Sequence, residues 1–148
     1  AAERLRALNP GLDIVALPER LTAANAAAHV QAYDLVVDGS DNFPTRYLVN
    51  DACVLFGRPL IHGGVVGFQG QLLTVLPRRS ACVRCVFPEP PSPGAVPSGQ
   101  EAGILGSVAG ILGTLMAHEA LKALLGLGAP MADRLRPELS LSRAEHVR

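Results

Sequence analysis

The run Leu35-Val36-Val37-Asp38 passes without a break into Gly39-Ser40-Asp41-Asn42-Phe43-Pro44, and this junction constrains the chain more than any other feature. A short apolar run without polar alternation is the pattern of a strand covered on both faces of a parallel sheet. The residues after it carry the marks of a helix start, with Asp and Asn at the boundary and Pro44 just inside it, because those side chains accept from free backbone amides and proline needs none. The predicted helix runs from about Phe43 to Phe56 and stops at Gly57, and Pro59 to Ile61 open a second strand. Strand, helix and strand in that order build a parallel crossover, so the expected class is α/β, doubly wound, with a mainly parallel sheet.

The alternation extends to both sides. Glu3 to Leu8 reads as the end of a helix halted by Asn9-Pro10-Gly11, so the chain begins inside an element, since a residue before proline avoids the α region. Asp13 to Leu17 is predicted as a short strand, and Thr22 as the cap of a helix through Ala24 to Gln31. Gly63, Gly64, Gly67 and Gly70 punctuate the apolar runs His62 to Val66 and Gln71 to Leu76, which predicts an antiparallel addition to the sheet.

Pro88, Pro90, Pro91, Pro93 and Pro97 exclude regular hydrogen-bonded structure and predict an exposed, mobile crossing loop over 88–100. A buried helix from about Ile104 to Leu125 comes next, with Gly106, Gly110, Gly113 and Ala117 on one stripe. Such a stripe permits close backbone approach, to the chain's own sheet in preference to a second subunit. Residues 1–128 are expected to form one domain and 129–148 a polar tail.

Composition removes several classes of function. Thirteen basic residues balance thirteen acidic ones in 148, so no electrostatic footprint for nucleic acid or an anionic membrane is present. The most apolar stretch, Ile104 to Leu127, is interrupted by His118, Glu119 and Lys122, which reads as a core helix and not a membrane span. Three cysteines and no signal-like start argue against a disulfide framework and for the cytoplasm.

Chemistry is expected where the strand meets the helix. Ligands of open α/β sheets gather beyond the carboxyl ends of strands, where a helix N-terminus favours phosphate. Asp38 and Asp41 are placed on that crevice, and two carboxylates beside a phosphate-favouring end suit Mg²⁺ shared with a nucleotide. Asn42, Arg46 and Asn50 fall on one helix face and form a polar stripe towards it. Each has a plainer explanation. Asp41 could serve only as an N-cap, Asp38 only as a turn former before Gly39, and the stripe only as a solvated face.

Cys82 and Cys85 present two thiols at the spacing of half a tetrahedral zinc site, whereas Cys53 reads as core. A redox role for the pair is disfavoured because it lies between a strand and a proline-rich loop and does not open a helix. His146 could add a ligand.

The run Asp38-Gly39-Ser40-Asp41-Asn42-Phe43-Pro44-Thr45-Arg46-Tyr47-Leu48-Val49-Asn50-Asp51 resembles the signature of the ThiF/MoeB/HesA adenylyltransferases, relatives of the ubiquitin-activating enzymes. Leu8-Asn9-Pro10, Gly67-Phe68-Gln69-Gly70-Gln71, Cys82-Val83-Arg84-Cys85 and Glu101-Ala102-Gly103-Ile104-Leu105-Gly106 agree in order with further segments of that family. The resemblance implies a Rossmann-like, ThiF-type fold, incomplete at its N-terminus, because the family's Gly-rich ATP loop lies upstream of the Leu-Asn-Pro segment. It also implies an ATP- and Mg²⁺-dependent enzyme that activates the C-terminal carboxylate of a small ubiquitin-like sulfur-carrier protein as an acyl-adenylate, in molybdopterin or thiamin biosynthesis, and that forms a homodimer.

By the same resemblance Asp41 holds Mg²⁺ and the nucleotide phosphates and Asn42 and Arg46 shape that pocket, so Asp41 and Arg46 are expected to be catalytic; Asp38 and Asn50 join the expected nucleotide site on their position alone. The family's second C-x-x-C, which completes its zinc site, has no counterpart here, and Gly99 stands where many members carry a loop cysteine. His29, His62, His118 and His146 receive no catalytic role. The carrier's extended tail is expected on the apolar sheet face around Ile61 to Leu76 and on the loop after Pro88. A non-catalytic module that docks the carrier or dimerises is the alternative, and a nucleotide-dependent oxidoreductase, resting on fold analogy, is a weaker one.

Overall fold

A computed structural model describes residues 1–92 and 99–132. In chain order the elements are α1 (Ala2–Leu8), α2 (Ala26–Gln31), β1 (Val36–Asp38), α3 (Phe43–Phe56), β2 (Leu60–Val66), β3 (Gln69–Val75), α4 (Val83–Val86), α5 (Gly99–Ala102) and α6 (Gly106–Leu125). The sheet runs β1-β2-β3, with β1 parallel to β2 and β3 antiparallel to β2. The crossover through α3 and the glycine-punctuated hairpin are both as the sequence predicts. The α3 bounds agree to the residue, because proline fixes one end and Gly57, at φ +67°, turns the chain at the other.

Alternation along β2 and β3 divides the core. Leu60, Leu73 and Val75 face α2 and α3 with Val30, Val49, Ala52 and Cys53. Ile61 and Leu72 face the other way, against Leu112 and Met116 of α6. The apolar face expected to receive a carrier tail is therefore covered by the chain's own helices. Phe68, at the hairpin tip, remains exposed.

Four expectations change. Asp13 to Leu17 has no regular secondary structure and is not a strand, because no ladder partner flanks it among the described residues; an Arg6 guanidinium bond to the Ile14 carbonyl, 2.6 Å, holds it. Helix α2 starts at Ala26, two residues late, since Thr22 and the Asn25 side chain close a turn ahead of it. Val37 of β1 is half exposed, so that strand is covered on one face only. Finally, α6 lays a single stripe, Val108, Leu112, Met116 and Glu119, on the sheet. Its small-residue stripe faces away, with nothing within 4 Å of a Cβ built on Gly106, Gly110 or Gly113.

Two glycines on β2 explain how closely the helices approach. A Cβ on Gly63 would fall 2.2 Å from the Met116 sulfur, and one on Gly64 would fall 3.1 Å from the Arg46 guanidinium. Both helices therefore sit on bare backbone at this point of β2.

The segment after α6 is tied down and is not a free tail at its start. Glu119, 1% exposed, accepts from Thr74 Oγ1 at 3.0 Å, from the Met131 amide at 2.7 Å and from Lys122. Ala132 then bridges to Thr74 of β3. Pro93 to Ser98 of the expected crossing loop and residues 133–148 of the expected tail, His146 included, lie outside the described residues.

Candidate nucleotide site at the β1–α3 junction

The cap of α3 is Asn42. Its backbone is extended and its Oδ1 accepts the Thr45 amide at 2.9 Å. Asp41 is thereby relieved of the duty that would have explained it. It stands exposed ahead of a 14-residue helix, and its carboxylate accepts from the Asn42 side chain at 3.3 Å. An exposed carboxylate at a helix N-terminus combines a metal ligand with a phosphate-favouring dipole end, here through the dipole and not through amides, since Pro44 has no N–H and the Thr45 and Arg46 amides are bonded to Asn42.

Asp38 is arranged differently from its expected place on the same crevice. It is 5% exposed, and both of its oxygens are taken: Oδ2 meets His62 Nδ1 at 2.9 Å, and Oδ1 accepts the Ser40 amide at 2.9 Å. Burial alone would raise its pKa, but the bonds from His62 and Ser40 prevail and hold it below the usual carboxylate value. Asp38 braces the loop from within, and of the two carboxylates only Asp41 is presented to solvent.

Arg46 does join the junction. Its Nε donates to the Ser40 carbonyl at 3.0 Å, its guanidinium lies 5.3 Å from the Phe43 ring centre, and its tip covers Gly64. Gly64→Ala should therefore displace the guanidinium with little effect on the core. If Arg46 meets phosphate, we expect on the order of a tenfold to hundredfold loss of activity, the scale of a small misplacement at a reacting centre, measured by ATP–pyrophosphate exchange alongside an unchanged unfolding transition.

Asn50 does not face this crevice. It is 1% exposed, its Oδ1 accepts the Val83 amide at 2.9 Å, and its Nδ2 reaches Asp51 at 3.2 Å and the Cys82 sulfur at 3.9 Å. Its bonds fasten α4 to α3. Tyr47 donates to the Phe87 carbonyl at 2.9 Å, and Arg84 pairs with Asp51 through two 2.7 Å bonds while lying 4.8 Å over the Tyr47 ring. One helix thus carries Arg46 on its first turns and anchors the cysteine turn with its middle.

Cys82 does precede a helical turn, contrary to the reading of this stretch as helix-free: it is the residue ahead of α4, and Cys85 lies within that turn. Burial raises the Cys82 pKa, but bonds from the Cys85 and Arg84 amides outweigh it, so the thiol lies below its usual value. The sulfurs are 3.6 Å apart, close to the edge of about 3.8 Å expected for thiolates each roughly 2.3 Å from zinc in a tetrahedron. The pair fits half of such a site, although no cluster of three or more His, Cys, Asp or Glu suited to a metal occurs among the described residues. Cys53 is fully buried, with its thiol pushed up to about 12 by burial and by the charge of Asp38, as a core cysteine should be.

Sequence reasoning passed over His62. The signal available was its register opposite Asp38 on adjoining strands, which requires the strand pairing to be known first.

Comparison with known proteins identifies relatives of the chain. The chain is 54% identical over 140 residues to the sulfur carrier protein adenylyltransferase of Thermus thermophilus, covering 91% of this chain and 52% of that protein. It is 48% identical to adenylyltransferase and sulfurtransferase MOCS3 of Bos taurus (91% and 30% covered) and 44% identical to the SAMP-activating enzyme E1 of Haloferax volcanii (91% and 50% covered). The chain thus spans about half or less of the length of these curated relatives. E. coli MccB, solved with ATP, matches at a TM-score of 0.68 with 18% identity over 87% of this chain and 40% of that one, and MccB solved with AMPCPP and MccA matches at 0.68 with 16% identity over 88% and 40%. These two likenesses show a shared fold, in keeping with the α/β class expected from the strand and helix order and the Rossmann-like form implied by the resemblance. The ThiF family model matches residues 1–143, nearly the whole sequence, and the chain therefore belongs to the ThiF family.

Proposed function

We propose that the intact protein is an ATP-dependent adenylyltransferase whose acceptor is a small ubiquitin-like sulfur-carrier protein. In this reaction a carboxylate oxygen at the carrier's C-terminus attacks the α-phosphorus of ATP, the bond to the bridging oxygen of the β-phosphate breaks, and pyrophosphate leaves an acyl-adenylate behind. Asp41 would hold Mg²⁺, and the ion would neutralise charge on the triphosphate. Arg46 and the positive end of the α3 dipole would orient the phosphates. Both reactants are anions, so positioning and charge neutralisation carry the catalysis, and no proton-transfer histidine is required.

The observation that carries this reading is the freedom of Asp41, an exposed carboxylate at a helix N-terminus whose capping is already supplied by Asn42. An apolar hollow of about 380 Å³, lined by Leu17, Leu21, Tyr33, Val37, Asp38 and Thr45 and not by Asp41 itself, is of a size to accept a nucleobase. ATP–pyrophosphate exchange in the intact protein, stimulated by a purified carrier, is the expected result; exchange absent with every carrier tried would refute the reading.

Two further assignments are part of the proposal. Cys82 and Cys85 supply half of a structural zinc site, which would secure the turn clamped by Asn50, Tyr47 and Asp51. A homodimer is proposed for the intact protein, a reading supported by the open small-residue face of α6. Metal analysis and light scattering should find one zinc per chain and the mass of two chains.

A further inference from the structure

The Asp38–His62 contact has no part in the adenylation chemistry, yet both side chains are buried, at 3% and 8% exposure. The two residues are register partners on β1 and β2, so the parallel ladder itself brings them together. From them a chain of bonds leads outwards: His62 Nδ1 to Asp38 Oδ2 at 2.9 Å, Asp38 Oδ1 to the Ser40 amide at 2.9 Å, and the Ser40 carbonyl to Arg46 Nε at 3.0 Å. Ser40 immediately precedes Asp41.

Stability alone is a poor reason for this pair, because burying two ionisable groups costs desolvation that well-packed apolar residues would avoid. Its place at the end of a strand gives a better one. A loop of Gly39 and Ser40 has little intrinsic stiffness, and the metal-binding carboxylate comes one residue after it. Asp38 stiffens this loop only while its carboxylate is turned towards the Ser40 amide, and the imidazole on its other oxygen fixes that orientation.

We propose that His62 is a positioning residue for the nucleotide site: acting through Asp38, it locks the Asp38-Gly39-Ser40 turn and so sets where Asp41 and Arg46 stand. Only the activity arm of the test rests on the adenylyltransferase reading. Asp38 is accordingly a brace at one wall of the hollow, and its effect on Asp41 and Arg46 passes through the Ser40 turn.

The test uses the intact protein with His62→Leu, His62→Gln, Asp38→Asn and the double variant His62→Leu/Asp38→Asn. Hydrogen exchange at the Ser40 amide should quicken about tenfold in His62→Leu, the signature of a local opening, and return part-way in His62→Gln, which restores a donor. The KM for MgATP should rise on the order of tenfold in His62→Leu, the scale seen when an outer partner of a metal site is lost, and the double variant should be no worse than the worse single. Nitrogen NMR of wild type should place a proton on His62 Nδ1. A lowered melting temperature in His62→Leu with Ser40 protection and KM unchanged would overturn the proposal and leave His62 as packing. Ser40 deprotection in a protein whose wild type shows no ATP–pyrophosphate exchange would uphold the brace and refute the adenylyltransferase reading instead.

Discussion

Asp41→Asn in the intact protein is expected to lower ATP–pyrophosphate exchange by at least about a hundredfold, the usual cost of removing one electrostatic partner of a developing charge, with the melting temperature essentially unmoved. The two halves of this expectation have separate causes. Asparagine keeps an oxygen that can accept from the Asn42 side chain, and the helix cap belongs to Asn42 and is untouched. What is lost is the negative charge, and a neutral amide is a poor ligand for a hard cation. Asn42→Ala supplies the contrast. There the Thr45 amide loses its acceptor, so stability should fall by about 1 kcal/mol and Asp41 should keep most of its function. A result in which Asp41→Asn unfolds the protein, or leaves exchange intact, would show that the carboxylate is structural.

The second large effect is expected at Glu119, on the opposite side of the sheet. Glu119→Ala should destabilise the protein by about 3–5 kcal/mol, the cost of breaking a buried ion pair by removing one partner. Three donors lose their acceptor together: the Thr74 hydroxyl, the Met131 amide and the Lys122 ammonium. The loss would also release the segment that Ala132 joins to β3. Burial raises the Glu119 pKa, but the bonds from Lys122, Met131 and Thr74 outweigh it and the folded value is lowered. A carboxyl whose pKa is lower in the folded state contributes stability above its unfolded pKa and loses it as pH falls through the folded one. The gap between wild type and Glu119→Ala, measured by urea unfolding, should therefore be full near neutrality and narrow in acid below the ordinary glutamate range. A gap that does not depend on pH would mean that Glu119 contributes packing and no charge.

Local chemistry made α3 legible in the sequence. Pro44 and Gly57 mark its ends by fixed backbone preferences, and these depend on no other part of the chain. The β2–β3 hairpin was legible for the same reason. Asp13 to Leu17 was not, because a strand exists only with a partner and apolar content cannot report one. The orientation of α6 was hidden too. Its glycine stripe and its leucine, valine and methionine stripe both look suitable for burial, and only the position of Gly63 under Met116 decides which one meets the sheet.

Within the site, Asp41, Asn42 and Arg46 could be read from the strand-to-helix junction. Asp38 and Asn50 were placed in the crevice by helix and turn spacing, which fixes a face but not a partner. Asp38 turned inwards to a histidine on the next strand, and Asn50 turned to the amide of Val83, 33 residues further along the chain.

All of the proposed chemistry requires that Asp41, just beyond the end of β1, holds the divalent ion of a nucleotide. Paramagnetic broadening tests this directly: Mn²⁺ and ATP are added to the isotopically labelled intact protein, and amide signals are followed residue by residue. Ser40, Asp41 and Asn42 are expected to broaden first, and Asp41→Asn to abolish the effect. Broadening centred on another part of the molecule, or unchanged in Asp41→Asn, would contradict the assignment.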